Sequence, residues 1–117
     1  MEILDFKYIN QDALQFMKSI PDGSVNLIVT SPPYNIGKEY ESTTSLNKYL
    51  EGIKPILKES CRILASNGSI CWEVGNYIDP KSKEVYPLDI YFYNIFKELG
   101  LHLRNRIIWH FGHGSTV

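Results

Sequence analysis

A serine, two prolines and a tyrosine in succession, Ser31-Pro32-Pro33-Tyr34, are the residues of this 117-residue chain best equipped for chemistry. A serine hydroxyl accepts and donates hydrogen bonds. Each pyrrolidine ring fixes φ, and Pro33 also confines Pro32 to extended backbone, so the Pro32 carbonyl is held rigidly. The Tyr34 ring offers a flat face. The four residues thus combine hydrogen-bond acceptors of set direction with a surface on which a planar group can stack.

The elements around them decide where that set is presented. Val25-Asn26-Leu27-Ile28-Val29 is a short apolar run that reads as a buried parallel strand. Consecutive prolines cannot donate to a sheet ladder, so the strand must stop at Pro32. The hydroxyl, the stiff rings and the aromatic ring therefore lie at the carboxyl end of a strand, the edge at which open α/β sheets bind ligands.

The rest of the chain alternates in kind. Phe6 to Ile9 reads as a short strand, Gln11 to Ile20 as a helix, and Pro21-Asp22-Gly23 as a turn. A polar stretch from Asn35 to Thr44 reads as a loop over the site. Ser45 is placed to cap a long helix whose stripe runs from Leu46 to Leu64, with Pro55 kinking or dividing it and Ser66-Asn67-Gly68 ending it. Ser69 to Val74 is the next strand and Gly75 to Lys83 a second polar loop. Pro87 suits the first position of a helix closed by Gly100, and a last strand is expected from about Leu103 to Phe111. The order β-α-β-α-β-α-β favours a mostly parallel sheet with flanking helices. No repeat, linker or low-complexity segment interrupts it.

Ser31-Pro32-Pro33-Tyr34, with Asn35-Ile36-Gly37 behind it, resembles motif IV of the DNA amino-methyltransferases: Asp, Asn or Ser, then Pro-Pro and an aromatic residue. Such enzymes move a methyl group from S-adenosylmethionine to the exocyclic amine of adenine or cytosine. The resemblance implies an α/β, Rossmann-like S-adenosylmethionine-dependent methyltransferase fold. It makes Ser31, Pro32, Pro33 and Tyr34 the catalytic set. Ser31 Oγ and the Pro32 carbonyl would accept from the amine, and Tyr34 would stack on a base flipped from its duplex. It extends substrate contact to Asn35 and Lys38 and points Asp12, Ala13 and Thr30 at the cofactor. Asn10-Gln11-Asp12-Ala13-Leu14 resembles the family's Gly-Asp-X-Leu segment, with Gln11 where glycine is usual. Asp12 is equally suited to favour a helix macrodipole from the first turn. Serine at position 31 is commoner among N4-cytosine enzymes than among N6-adenine enzymes, which leans the expectation toward cytosine.

Other positions resemble the family more loosely. Glu73 to Tyr77 falls where motif V would lie, though Asn76 suits a turn better than a ligand contact. Arg106-Ile107-Ile108-Trp109 resembles the strand of motif VIII, with Trp109 a core or edge aromatic. His110 and His113 lack a third ligand for a metal, so no metal is expected. The Phe-x-Gly-x-Gly cofactor motif has no counterpart in this sequence; Phe111-Gly112-His113-Gly114 has the wrong spacing. One permuted group of these enzymes, active in restriction-modification, carries the Ser-Pro-Pro-Tyr half first and the target-recognition region and glycine motif later. Residues 1–117 match the first, catalytic part of that order as a single partial domain.

Composition bounds the partners. The net charge is −1 and the sequence pI about 6.3. Lys38, Lys48, Lys54, Lys58, Arg62, Lys81, Lys83, Arg104 and Arg106 are scattered rather than clustered, which argues against strong DNA binding by the chain alone. DNA is nonetheless the partner the family implies. A second chain carrying the glycine motif and target-recognition region, or a homodimer, would complete the site, and little or no methyl transfer is expected without that completion. Two cysteines, Cys61 and Cys71, with no leader or membrane-spanning run in the sequence, suit a reducing cytoplasmic setting. Two competing readings remain: a methyltransferase acting on RNA or a protein amide, and a non-catalytic methyltransferase-like subunit that binds a partner.

Overall fold

A computed structural model describes residues 5–35, 45–110 and 112 of the chain. Helix α1 is Ala13–Lys18, followed by strand β1, Val25–Thr30. Helix α2, Leu46–Ile63, runs without a loop into strand β2, Leu64–Trp72. Strands β3, Asn76–Ile78, and β4, Val85–Pro87, precede helix α3, Leu88–Glu98. The architecture is α/β: β1 and β2 form a parallel pair, β3 and β4 an antiparallel hairpin, and the helices flank them.

The sheet is one-sided among the described residues. Leu27 and Val29 of β1 pair with Ser69 and Cys71 of β2, and all four side chains are exposed. Leu27 is 59% and Val29 67% accessible. On the opposite face Ile28, Thr30, Ile70 and Trp72 are partly covered. The core sits on that side, where Ile53 and Leu57 of α2 meet Tyr77 of β3 and Leu88 and Phe92 of α3. Leu57 and Leu88 are fully buried, each contributing about 1.5–3 kcal/mol of hydrophobic stabilisation. Trp72 lies between the rings of Phe92 and Phe96, both at 5.6 Å between centroids.

Several local expectations hold. Ser45 caps α2 by accepting from the Lys48 N–H, and Gly100 follows α3 at φ +91, a conformation that favours glycine. Pro55 does not divide α2. It lies on the exposed side of the helix, as does Glu51, whose carbonyl would otherwise receive its missing N–H.

Other expectations are corrected. Ser66-Asn67-Gly68 does not end a helix: α2 stops at Ile63, and these residues belong to β2. From Val25 to Leu27 β1 advances two residues while β2 advances from Leu64 to Ser69, so β2 bulges there. Gly68 sits in the bulge because a Cβ would meet Leu64 Cδ1 at 2.8 Å and the Val25 carbonyl oxygen at 3.0 Å. The polar loop from Gly75 to Lys83 contains β3 and is the first part of the hairpin. Its turn is organised by Asp79, whose carboxylate accepts from the backbone N–H of Lys81 and Ser82. These bonds hold the Asp79 carboxyl below its ordinary range. Pro87 precedes α3 by one residue, as its N-cap.

Two expected strands do not form. Phe6 to Ile9 and Leu103 to His110 carry no strand pairing, and Phe111 lies outside the described residues. Tyr8 is 92% and Ile107 87% exposed. A strand needs a neighbour to take its backbone hydrogen bonds, and no described strand lies beside either segment.

Helix α1 is tied to α2 through Arg62, whose guanidinium donates to the carbonyls of Met17 and Ile20 at 2.7 and 2.9 Å and pairs with Asp22 and Glu59. Gly68→Ala is expected to destabilise the protein by about 1–3 kcal/mol, because the Val25 carbonyl cannot move aside without disturbing β1. Urea unfolding monitored by circular dichroism checks this.

Candidate active site

The two parallel strands end side by side. Thr30 pairs with Trp72, and the Glu73 N–H continues the ladder to the Thr30 carbonyl at 3.0 Å. Beyond that step Pro32 and Pro33 have no N–H to offer, and the chain leaves the sheet. Ser31 is exposed, Pro32 half-buried, Pro33 exposed and Tyr34 half-buried. The predicted catalytic residues thus lie together at the carboxyl edge of the β1–β2 pair.

Two contacts hold this turn. The Tyr49 hydroxyl, one turn into α2, donates to the Pro33 carbonyl at 2.5 Å. The Tyr34 ring lies over Gly75, just beyond the end of β2: a Cβ on Gly75 would stand 3.4 Å from Tyr34 Cδ2 and 3.9 Å from Cε2. Gly75 is itself fixed, since its carbonyl accepts from the Leu88 N–H at the start of α3, 3.3 Å away. Asn35 then takes the left-handed conformation, φ +61, which asparagine tolerates better than most residues. It is only 3% exposed. This is where the structure places a residue expected to contact the substrate: buried, directly after the Ser-Pro-Pro-Tyr stretch. Lys38 lies outside the described residues.

The residues expected near the cofactor occupy different settings. Asp12 is exposed and is the N-cap of α1, with Oδ2 accepting from the Gln15 N–H at 3.1 Å. Ala13 opens that helix and is exposed. Thr30 ends β1, half-buried on the face turned to the core. Asn76 opens β3 opposite Pro87, while Trp109 is exposed. Cys61 is partly buried, and that burial pushes its thiol pKa up, away from the range of a reactive thiolate. Among the described residues no group of three or more His, Cys, Asp or Glu side chains could hold a metal ion. None of the described helices is long and apolar enough to cross a membrane.

Tyr49 and Gly75 are the site residues that sequence reasoning missed. Tyr49 falls within the apolar stripe from Leu46 to Leu64, and nothing local links it to a proline sixteen residues earlier. Gly75 carried a better signal: it directly follows the expected Ser69–Val74 strand, inside the Glu73–Tyr77 segment.

The Ser-Pro-Pro-Tyr turn thus closes a parallel strand pair, and comparison with known proteins places the chain in a family. A family model described as DNA methylase matches residues 25–115. The chain belongs to this DNA methylase family. The type II methyltransferase M.BglII of Bacillus subtilis is 44% identical over 108 residues, covering 92% of this chain and 30% of the relative. The type II methyltransferase M.HpaI of Haemophilus parainfluenzae is 33% identical, with 95% and 33% covered. The solved structure of TTHA0409 from Thermus thermophilus superposes with a TM-score of 0.69 at 29% identity, over 91% of this chain and 45% of that one. Its complex with S-adenosyl-L-methionine superposes at 0.61, with 28% identity and 76% and 38% covered. The chain spans about a third of the length of the curated relatives it matches.

The seating of Tyr34 over Gly75 has a direct spectroscopic consequence. The Gly75 Hα directed at the ring should lie upfield of the usual glycine range and return toward it in Tyr34→Leu, as read from proton–carbon correlation spectra.

Proposed function

We propose that this chain forms the base-receiving part of an S-adenosylmethionine-dependent DNA amino-methyltransferase, acting on N4 of cytosine in preference to N6 of adenine. The observation that carries this reading is the anchored Ser31–Asn35 turn at the carboxyl edge of a parallel strand pair. An exocyclic amine on a nucleobase has its lone pair delocalised into the ring and is a poor nucleophile. Ser31 Oγ and the Pro32 carbonyl accept from its two N–H groups, favour a more tetrahedral nitrogen and stabilise the positive charge that develops there. Tyr34 stacks on the flipped base, contributing roughly 1–3 kcal/mol against the cost of unstacking it. Asn35 and Lys38, the latter outside the described residues, complete the proposed contacts to the DNA substrate. The preference for cytosine rests on Ser31, a hydroxyl being a weaker acceptor than the carboxylate of an Asp.

When bound, S-adenosylmethionine supplies the electrophilic methyl group. The Asp12 carboxylate fits a role in holding it: only Oδ2 is engaged by Gln15, and the group is exposed, so it retains lone pairs for the cofactor's hydroxyl or ammonium donors. Ala13 is exposed beside it, with too small a side chain to obstruct a ligand. Thr30 fits less well through its side chain, which shares the core-facing side of β1 with Ile28.

The open sheet face favours completion by further polypeptide. Leu27 and Val29 are large apolar side chains exposed on that face. We assign this face to a segment or second chain bearing the glycine motif and the target-recognition residues, working in the reducing cytoplasm where Cys61 and Cys71 stay thiols. A homodimer is the competing occupant. Light scattering decides between them: the 117-residue protein is expected to be monomeric at low concentration and to form a one-to-one complex with a glycine-motif polypeptide. Tight self-association into dimers instead points to the homodimer.

The function is tested with radiolabelled S-adenosylmethionine and duplex DNA. Methyl transfer is expected from the chain together with its glycine-motif complement, little from the chain alone, and a loss of about a hundredfold in Ser31→Ala, comparable to removal of one preorganised charge-stabilising group. Undiminished transfer by Ser31→Ala sinks the assignment of Ser31.

A further inference from the structure

We infer that the Tyr49 hydroxyl is a positioning residue for the base-receiving carbonyl of Pro32, acting through the Pro33 carbonyl it binds. The inference rests on the function proposed above and adds a residue outside the Ser-Pro-Pro-Tyr stretch to its machinery.

The argument is one of torsions. The Pro32 carbonyl belongs to the peptide plane that ends in Pro33 N, and the ring of Pro33 fixes φ about the next bond. Between that plane and the Pro33 carbonyl only one soft torsion remains, ψ of Pro33. The Tyr49 hydroxyl binds the Pro33 carbonyl at 2.5 Å, which narrows that freedom. Holding the second proline's carbonyl thus restricts the direction of the first.

The anchor is itself well held. Tyr49 lies in the first turn of α2, and its ring meets Phe92 edge to face, with centroids 6.3 Å apart and planes at 84°. Phe92 is buried, and it also packs on Trp72, the last residue of β2 and the partner of Thr30. The hydroxyl is therefore set against the core and against the strand end from which the Ser31 turn departs. Gly75 restrains the same turn on its far side through the Tyr34 ring. Pro33 cannot donate, so its own backbone is held through its carbonyl, which Tyr49 binds.

Tyr49→Phe keeps the ring on Phe92 and removes only the hydroxyl; Tyr49→Leu removes both and serves as the packing control. In the 117-residue protein, Tyr49→Phe is expected to move the Pro33 carbonyl carbon resonance and to broaden the Tyr34 and Asn35 amides, while the Phe92 ring signals stay in place. In the preparation that transfers methyl groups, kcat is expected to fall by about tenfold with KM for S-adenosylmethionine unchanged, the signature of misdirected acceptors rather than a lost binding contact. An unmoved Pro33 carbonyl resonance, or a moved one with unchanged kcat, overturns the inference. Should no preparation transfer methyl groups, the proposed function fails, and the resonance measurement on the 117-residue protein alone decides whether Tyr49 sets the turn.

Discussion

Parallel pairing of β1 with β2 is the constraint on which the rest of this structure depends. Parallel strands end at the same edge, so the connections leaving Thr30 and Trp72 must emerge together. That is why Tyr34, a residue of the first connection, can rest on Gly75, a residue of the second. Parallel strands also require a long crossover, and α2 is that crossover. Its first turn returns to the edge where Ser31 sits, and its last residue leads directly into β2. One topological choice supplies the platform, the neighbour and the anchor of the candidate site.

The core is arranged to serve that edge. Leu57, Leu88 and Phe92 are buried in one cluster, and the rings of Trp72, Phe92, Phe96 and Tyr49 form a connected set reaching from α3 to the Pro33 carbonyl. Protein interiors pack densely and transmit displacement rather than absorb it. The antiparallel hairpin of β3 and β4 belongs to the same structure: Tyr77 enters the core and Leu88, just after β4, binds the Gly75 carbonyl. The opposite sheet face carries exposed Leu27 and Val29, so the described residues bury their apolar surface on one side only.

What was legible in the sequence was local or tied to a strong motif. The apolar run into Pro32, the capping serine at 45 and the glycine after α3 each announce themselves within a few residues, because proline chemistry, capping and positive φ act over that range. The Ser31–Tyr34 set was legible for the same reason. Phe6 to Ile9 and the stretch from about Leu103 to Phe111 look like strands by composition, yet strand formation needs a neighbouring backbone, and a pattern of side chains cannot supply one. Gly68 looked like a helix terminator, whereas its purpose is to let the β2 bulge pass the Val25 carbonyl. The polar look of Gly75 to Lys83 hid a strand whose single inward ring, Tyr77, is the signal. Tyr49 was opaque because its partner is distant in sequence and carries no donor of its own.

The loopless junction between α2 and β2 limits how this chain can change length. Eighteen helical residues run from Leu46 to Ile63, and Leu64 is already strand. Each residue of an α-helix turns the chain by about 100° and advances it about 1.5 Å. One residue inserted or deleted between Tyr49 and Ile63 would swing either the tyrosine away from Pro33 or the strand out of register with β1, with no loop to take up the error. Helix α2 therefore acts as a fixed gauge between Tyr49 and the start of β2, and its length is not free to drift. Added segments are thereby kept out of the helix that holds Tyr49 at one end and β2 at the other.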